Sequence, residues 1–395
     1  MDKTRLKSLD ILRGVAILLV LVNHIEPRIS PAVTQLHGVA GFVFWHVKGF
    51  GWTGVDFFFV ISGFLISGLL FDELDKTGHI NWGRFWLRRG FKIWPSYYLL
   101  LVVLGLTGAT GYVDHRTPLT ALTSVLPHVL FLQNYLPGGN PNGPTWSLAV
   151  EEHFYIFLPV LLTATAVLAA RSGRKWSDFI PALTLFVVLA CLGLRVADLL
   201  GGPMNPADYS RTHLRMDALM IGVWLNYLIR NRSRLVVWIE QHPRAALWLA
   251  FALLSPALLV SRTQPFMFTA GFPLLSVGYA ILLVLVYHGL LQPVESSWAM
   301  TGLARLGRWS YNVYLWHYFV ILLPLPGYAA AAQLLAAHLH HASWLIAGQS
   351  ALFMATSIVI GAGLTILVEN PLLKLRDRWW PSGSRILPEA KTQRI

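Results

Sequence analysis

Ten long apolar stretches recur along the sequence, and each is close to the length of about 20 residues with which a helix crosses the hydrocarbon core of a bilayer. Only 13% of the 395 side chains are charged and the mean hydropathy is +0.54, which is too apolar for a soluble globular protein. The sequence therefore predicts an all-α integral membrane protein, a bundle of about ten transmembrane helices. The predicted spans are 9–26, 53–71, 92–111, 147–168, 179–198, 213–229, 245–261, 270–290, 310–327 and 344–368.

Lysine and arginine residues gather in alternate loops. Of the 31 Lys and Arg residues, 23 belong to the N-terminus, the loops after the even-numbered spans and the C-terminal tail; six belong to the other loops, and Arg13 and Arg195 lie within spans. Cytoplasmic loops of membrane proteins carry such an excess. Both termini are therefore predicted to be cytoplasmic. We interpret the net charge of +12 as a mark of topology, with no nucleic-acid partner.

The sequence predicts one transmembrane domain over residues 1–380 and a disordered cytoplasmic tail over 381–395. The N-terminus is basic and then apolar, as in a signal peptide. However, it carries Asp10 and Arg13 and lacks a small-residue cleavage site, so we expect a retained first helix. The stretch 121–136 is a candidate re-entrant or interfacial helix.

The sequence offers little for a resident metal or cofactor. Cys191 is the only cysteine and lies in an apolar run. His338, His340 and His341 lie close together but without carboxylate or cysteine neighbours, so no metal site is predicted.

Charged side chains inside spans are costly, and membrane proteins that keep them usually use them. Four predicted spans carry such residues at a similar depth, near the outer side. They are His24 in the first span, Asp56 in the second, Glu151 in the fourth, and Arg215 and Asp217 in the sixth. We expect these residues to form an outer polar group.

The fourth span begins with an aromatic and two carboxylates. Ser147, Glu151 and Tyr155 share one helical face at i, i+4 spacing, whereas Glu152 lies on the face of Leu148. Glu151 is therefore expected to face a polar interior. The preceding Trp146, with Ser147 and Glu152, is a candidate for contact with an acceptor or an oxyanion.

A second polar group lies near the predicted cytoplasmic side. Arg13 is eleven residues before His24, which returns to nearly the same helical face, about 16 Å away along the axis. Fixed cations at this level suit a polyanion such as the phosphates of coenzyme A. Tyr314 and His317 form a polar stripe that can line a path between the two levels. The cations are Arg13, Arg88, Arg89 and Lys92.

These motifs, in this order, resemble those of the acyltransferase-3 family of bacterial membrane O-acyltransferases over nearly the whole chain. The matching pieces are the Arg13 to His24 spacing, "GVDFFFVISGFLIS", "RRGFKIWP", "PTWSLAVEEHFY", "LRMDALMIG", "SYNVYLWH" and "VENP".

The resemblance implies transfer of an acyl group, commonly acetyl, from cytoplasmic acyl-CoA to a hydroxyl of a surface glycan or glycolipid, or less often a macrolide-type molecule. It implies a multi-pass protein of the bacterial inner membrane. Some members of the family carry a C-terminal hydrolase-like domain, and we expect this chain to be a stand-alone form without one. In the family pattern the first-helix His is catalytic and an Arg-x-x-Arg element serves the donor. Lys92 replaces the second Arg of that element and keeps only its charge.

The residue chemistry fits a general-base mechanism. A neutral His24 can accept the proton of an attacking hydroxyl, and Asp56 or Glu151 can orient its ring. Arg215, Ser147 or Trp146 can donate to the oxyanion. An acyl-His24 intermediate is an alternative.

Other interpretations remain open. His24 can be an interfacial cap, Arg88, Arg89 and Lys92 positive-inside anchors, and Arg215 with Asp217 a structural ion pair. A transporter or lipid flippase would also carry charges at two depths, and a glycan-binding scaffold is a third possibility. Binding of acyl-CoA separates an acyltransferase from both.

Overall fold

The computed structural model describes residues 3–25, 38–107, 125–136, 143–202, 208–322, 326–338 and 342–380, and within these ranges it contains helices and no strand. The predicted tail 381–395 and residues 121–124, 340 and 341 lie outside them. The α-helices are α1 (Lys3–Asn23), α2 (Gly38–Phe50), α3 (Gly54–Thr77), α4 (Trp82–Thr107), α5 (Thr145–Ser172), α6 (Ile180–Leu200), α7 (Met216–Arg230), α8 (Arg234–Gln241), α9 (Pro243–Leu254), α10 (Pro256–Leu259), α11 (Phe272–Tyr287), α12 (Trp298–Leu322), α13 (Pro326–His338), α14 (Ala342–Leu364) and α15 (Asn370–Trp379).

Short irregular turns join several of these helices. A 3₁₀ turn at Gly51–Thr53 connects α2 to α3, and another at Trp176–Phe179 connects α5 to α6. The described residues include two π-helical turns, Met267–Gly271 before α11 and Thr365–Glu369 between α14 and α15. Such π turns are often found at functional sites.

Each of the ten predicted spans overlaps a helix. Within the part of the chain that the structure describes, five helical stretches can cross a membrane by length and composition, or six if the bent pair Arg234–Gln241 and Pro243–Leu259 is one span. The count of ten spans and the location of the termini therefore stay predictions. The five stretches are Gly41–Thr77, Thr145–Ser172, Trp176–Leu200, Met267–Tyr287 and Trp344–Trp379.

The helix that contains the ninth predicted span is longer than the apolar run from which that span was predicted. α12 begins at Trp298, whereas the sequence predicted its start at residue 310. The added turns carry Arg305 and Arg308, which lower the local hydropathy although the backbone is helical. An apolar run marks only the buried part of such a helix.

The described part of the stretch 121–136 contains only a short helical turn and further turns. Its polar side chains hold the start of α5. The Gln133 side-chain amide donates to the Thr145 carbonyl oxygen at 2.8 Å, and the Asn134 amide donates to the Trp146 carbonyl oxygen at 2.9 Å. These bonds fix the first turn of α5, where Ser147 lies.

Helices α1 and α12 touch backbone to backbone through two glycines. A Cβ atom at Gly307 would lie 1.8 Å from the Asp10 carbonyl oxygen, and one at Gly14 would lie 2.2 Å from the Leu303 carbonyl oxygen. Small residues allow this close approach of membrane helices. The contact fixes the register of the two helices, which run parallel.

Candidate active site

A cavity of about 760 Å³ lies among α1, α3, α4, α5, α7 and α12. One part of its wall is apolar, with side chains such as Phe58, Leu65 and Leu148. Five cations and two carboxylates also line it, so the wall is positively charged. The cations are Arg13, Lys76, Arg89, Lys92 and Arg230, and the carboxylates are Asp72 and Glu151.

Arg89 is held at the wall by α5. Its guanidinium donates to the Tyr155 hydroxyl at 3.0 Å and lies 4.6 Å from the centre of that ring. The Tyr155 hydroxyl is in turn 2.7 Å from the Ser62 hydroxyl of α3. Glu151, one turn before Tyr155, lines the same cavity, as its i, i+4 spacing predicts. The structure thus places Glu151 among the cations.

Lys92 forms an ion pair with Glu369 of the π turn before α15. The other carboxylate oxygen of Glu369 accepts from the Asn312 amide at 2.7 Å, and that amide also donates to the Thr365 hydroxyl at 2.9 Å. This network joins α4, α12 and the π turn at the edge of the cavity.

Arg88 lies elsewhere. Its guanidinium donates to Asp377 at 3.1 Å and to the Trp380 carbonyl oxygen, which ties α4 to α15. Arg88 is not among the residues that line the cavity. The three predicted donor-site cations that do line it are Arg13, Arg89 and Lys92.

Two hydroxyls lie together at another part of the cavity wall. The Tyr314 hydroxyl donates to the Pro144 carbonyl oxygen at 2.8 Å, and its oxygen is 2.5 Å from that of the Ser147 hydroxyl. Both side chains line the cavity. Polar groups therefore extend from the cations to the start of α5.

His24 and His317 lie side by side. Their ring centres are 4.8 Å apart at an interplanar angle of 65°, and the Tyr314 ring centre is 5.8 Å from that of His317. His24 is half-buried, whereas His317 is fully buried. Neither histidine is among the residues that line the cavity, and His317 adjoins its wall through the ring of Tyr314.

Each of the two histidine rings has a hydrogen bond to a backbone carbonyl of its own helical segment. His24 Nδ1 is 2.8 Å from the Val20 carbonyl oxygen, and His317 Nδ1 is 2.5 Å from the Tyr314 carbonyl oxygen. A carbonyl oxygen only accepts, so each Nδ1 carries the proton and each neutral ring has its lone pair on Nε2. In both rings, Nε2 is the basic nitrogen.

Two buried ion pairs surround Phe272. Arg215 pairs with Asp56 at 2.6 Å, and Asp217 pairs with Arg195 of α6 at 2.7 Å. The Arg215 guanidinium carbon is 3.8 Å from the Phe272 ring centre. The sequence suggested a pair between Arg215 and Asp217. That alternative is wrong, because each of them pairs with a residue of a different helix.

Trp146 belongs to this second cluster, with its ring centre 5.7 Å from the Arg215 guanidinium. Glu152 faces away from the cavity and accepts from the Trp94 indole nitrogen at 3.0 Å. The predicted outer group is therefore divided. Asp56 and Arg215 are paired with each other, and the His24 ring lies beside those of His317 and Tyr318.

Sequence reasoning missed several residues of the cavity wall. Arg230 donates to Asn226 at 2.8 Å and to Asp75 at 3.1 Å, and it also pairs with Asp72. The signal for them was the i, i+4 spacing of Asn226 and Arg230 at the end of an apolar helix. Lys76, one turn after Asp72, lines the same region.

The sequence was also compared with known proteins. The profile of the acyltransferase-3 family, described as an acyltransferase domain, matches residues 6–371. The chain belongs to this family. The predicted resemblance is confirmed, and the five to six apolar helices agree with a membrane acyltransferase. No solved structure matches the chain.

Three relatives of this acyltransferase-3 chain are similar over some four-fifths of its length. A "Putative O-acetyltransferase" of Staphylococcus aureus (strain COL) is 27% identical over 345 residues, which are 80% of this chain and 50% of the relative. The "Putative peptidoglycan O-acetyltransferase YrhL" of Bacillus subtilis (strain 168) is 28% identical over 340 residues, which are 81% of this chain and 49% of the relative. The "Peptidoglycan O-acetyltransferase OatA" of Listeria monocytogenes is 27% identical over 345 residues, which are 81% of this chain and 50% of the relative. The chain thus spans about half the length of these curated relatives.

Proposed function

We propose that this protein transfers an acetyl or other short acyl group from cytoplasmic acyl-CoA to a hydroxyl of a carbohydrate acceptor at the outer side of the bacterial inner membrane. The observation that carries the proposal is one cavity with cations and two hydroxyls at its wall, where the ring of Tyr314 packs beside the pair of His317 and His24. Membership of the family supports acyl transfer. Two relatives named as peptidoglycan O-acetyltransferases support a carbohydrate acceptor.

The donor would enter from the cationic part of the cavity. Coenzyme A carries several phosphate charges, and Arg13, Arg89 and Lys92 supply fixed positive charge at one wall. The apolar part of the wall suits the pantetheine arm. Lys92 would exchange part of its interaction with Glu369 for a phosphate oxygen.

The reaction proceeds by attack of the acceptor hydroxyl oxygen on the thioester carbonyl carbon. His24 Nε2 takes the hydroxyl proton as the new oxygen–carbon bond forms. The carbon–sulfur bond then breaks, and the imidazolium returns that proton to the coenzyme A thiolate, which leaves as the thiol. Atoms and charge balance without a further reactant.

Ser147 is the best placed donor for the oxyanion among the three residues considered. It lines the cavity, and its hydroxyl proton, which is directed at the Tyr314 oxygen in this structure, would rotate to the oxyanion. Arg215 is instead paired with Asp56 and packed on Phe272, and Trp146 lies in that same cluster. The Asp56–Arg215 pair would support the fold next to the acceptor.

The test is transfer of label from radiolabelled acetyl-CoA to peptidoglycan fragments by the purified protein in proteoliposomes. His24→Ala should lower the transfer rate by about two to four decades, because general-base catalysis contributes about that much. Its Kd for acetyl-CoA should stay near the wild-type value. His242→Ala is the matched control, since His242 Nδ1 makes a similar bond to a backbone carbonyl, that of Trp238.

Near-normal transfer by His24→Ala would overturn the assignment of the base. If the wild-type protein neither binds acetyl-CoA nor transfers its label to any carbohydrate, the proposed function fails. A transporter or lipid flippase then becomes the better interpretation.

A further inference from the structure

The pairing of His24 with His317 follows from the packing of two parallel helices. The glycine contacts of α1 and α12 bring Gly14 and Gly307 to the same level. Each histidine follows its glycine by ten residues, which corresponds to about 15 Å along either helix. The close backbone contact at the two glycines therefore fixes the distance between the rings of His24 and His317, whose centres are 4.8 Å apart.

His317 has the features of a group held ready for an interaction. It is fully buried, its Nδ1 is bound to the Tyr314 carbonyl oxygen, and its Nε2 has no hydrogen-bond partner among the described residues. A buried nitrogen lone pair without a partner costs free energy. A histidine with only a structural role would gain nothing from such an unpartnered nitrogen.

The two rings cannot both carry charge at this separation without strong repulsion. Complete burial disfavours a charge on His317, whereas His24 is partly exposed. In the proposed reaction, the proton of the acceptor hydroxyl therefore goes to His24, where a charge is less costly than on His317. His317 stays neutral, with the negative end of its dipole at Nε2.

We propose that His317 is a positioning residue for His24. Its neutral Nε2 stabilises the His24 imidazolium that forms when the acceptor hydroxyl loses its proton, and its ring holds His24 in the productive orientation. This inference rests on the proposed function, and it assigns a role in that reaction to a residue on α12. No proton passes through His317, so the balance of the reaction is unchanged.

Two substitutions test the roles of the two ring nitrogens of His317 separately. The amide nitrogen of His317→Asn can take the place of Nδ1 and donate to the Tyr314 carbonyl, but nothing replaces Nε2. The amide of His317→Gln reaches the position of Nε2, and its oxygen can accept there. If Nε2 is the working atom, His317→Asn lowers kcat by roughly 10- to 100-fold with little change in KM for acetyl-CoA, as expected for a displaced catalytic group. His317→Gln should keep several-fold more activity than His317→Asn.

The measurements are kcat and KM for acetyl transfer, Kd for acetyl-CoA and the melting temperature, with His242→Asn as the control. A structural role would give the opposite order, with Asn retained and Gln impaired in stability and activity together. That result, or a wild-type kcat in His317→Asn, overturns the inference. Because wild type and His24→Ala are assayed alongside, a failure of the proposed function appears separately, as no transfer by the wild-type protein.

Discussion

At the scale of single residues, the Lys92–Glu369 pair has both a structural and a functional part. Glu369 is nearly fully buried, with 3% of its side chain exposed, whereas Lys92 is 23% exposed at the edge of the cavity. Removing one partner of a buried pair leaves an uncompensated charge. Lys92 also lines the cavity, where a phosphate of the proposed donor would lie.

Lys92→Met should therefore lower the free energy of unfolding by about 3 kcal/mol, the low end for a broken buried pair because Lys92 is partly exposed. Its affinity for acetyl-CoA should fall as well. The double variant Lys92→Met/Glu369→Gln removes both charges and keeps an acceptor for Asn312. We expect it to recover most of the stability without recovering donor affinity.

Melting temperature and Kd for acetyl-CoA, measured on both variants in one detergent, separate the two parts. Glu369→Gln alone is the matched control, since it retains Lys92 at the cavity. Wild-type acetyl-CoA affinity in the double variant would exclude Lys92 from the donor site.

At the scale of elements, the contact between α1 and α12 determines the geometry of the histidine pair. Gly307→Ala places a methyl group against the Asp10 carbonyl oxygen, so the two helices must separate. We expect a loss of about 1–3 kcal/mol in the free energy of unfolding, typical of overpacking. Acetyl transfer should fall too, because His24 and His317 are displaced relative to each other.

Gly302→Ala is the control on the same helix. Nothing lies within 4 Å of a Cβ atom at Gly302, so this substitution should stabilise α12 by about 0.5–1 kcal/mol through its better helix propensity. Its transfer rate should equal that of the wild type. Equal melting temperatures for the two variants would contradict the close packing of α1 and α12.

Apolar length and periodicity predicted where helices occur, and the i, i+4 spacing predicted that Ser147, Glu151 and Tyr155 face one interior. The same patterns missed the start of α12, because its first turns are amphipathic. Partners across helices could not be predicted, since they depend on which helices are neighbours. Arg215 thus pairs with Asp56, 159 positions away in the chain.

At the scale of the whole molecule, the positions of the cavity cations can be compared with the predicted membrane topology. Among the cations of the cavity wall, Lys76 and Arg230 lie at the ends of α3 and α7 that the distribution of Lys and Arg predicts to be cytoplasmic. Arg89 and Lys92 lie in the predicted cytoplasmic half of α4, and Arg13 lies at the middle of α1. His24 lies at the predicted outer end of α1. If the predicted topology is right, donor and acceptor enter from opposite sides of the membrane, and the acyl group crosses within the protein.

That topology can be measured with single added cysteines, because the native Cys191 is buried and should not react. Ser172 lies in a loop predicted to be cytoplasmic, whereas Ser261 is the last residue of the seventh predicted span, at its predicted outer end. Both side chains are exposed. In spheroplasts, a membrane-impermeant maleimide should label Ser261→Cys and leave Ser172→Cys unlabelled until the membrane is permeabilised. The unmodified protein gives the background from Cys191. Labelling of Ser172→Cys alone would invert the topology, so the cationic wall would face away from cytoplasmic acyl-CoA and the proposed direction of transfer would fail.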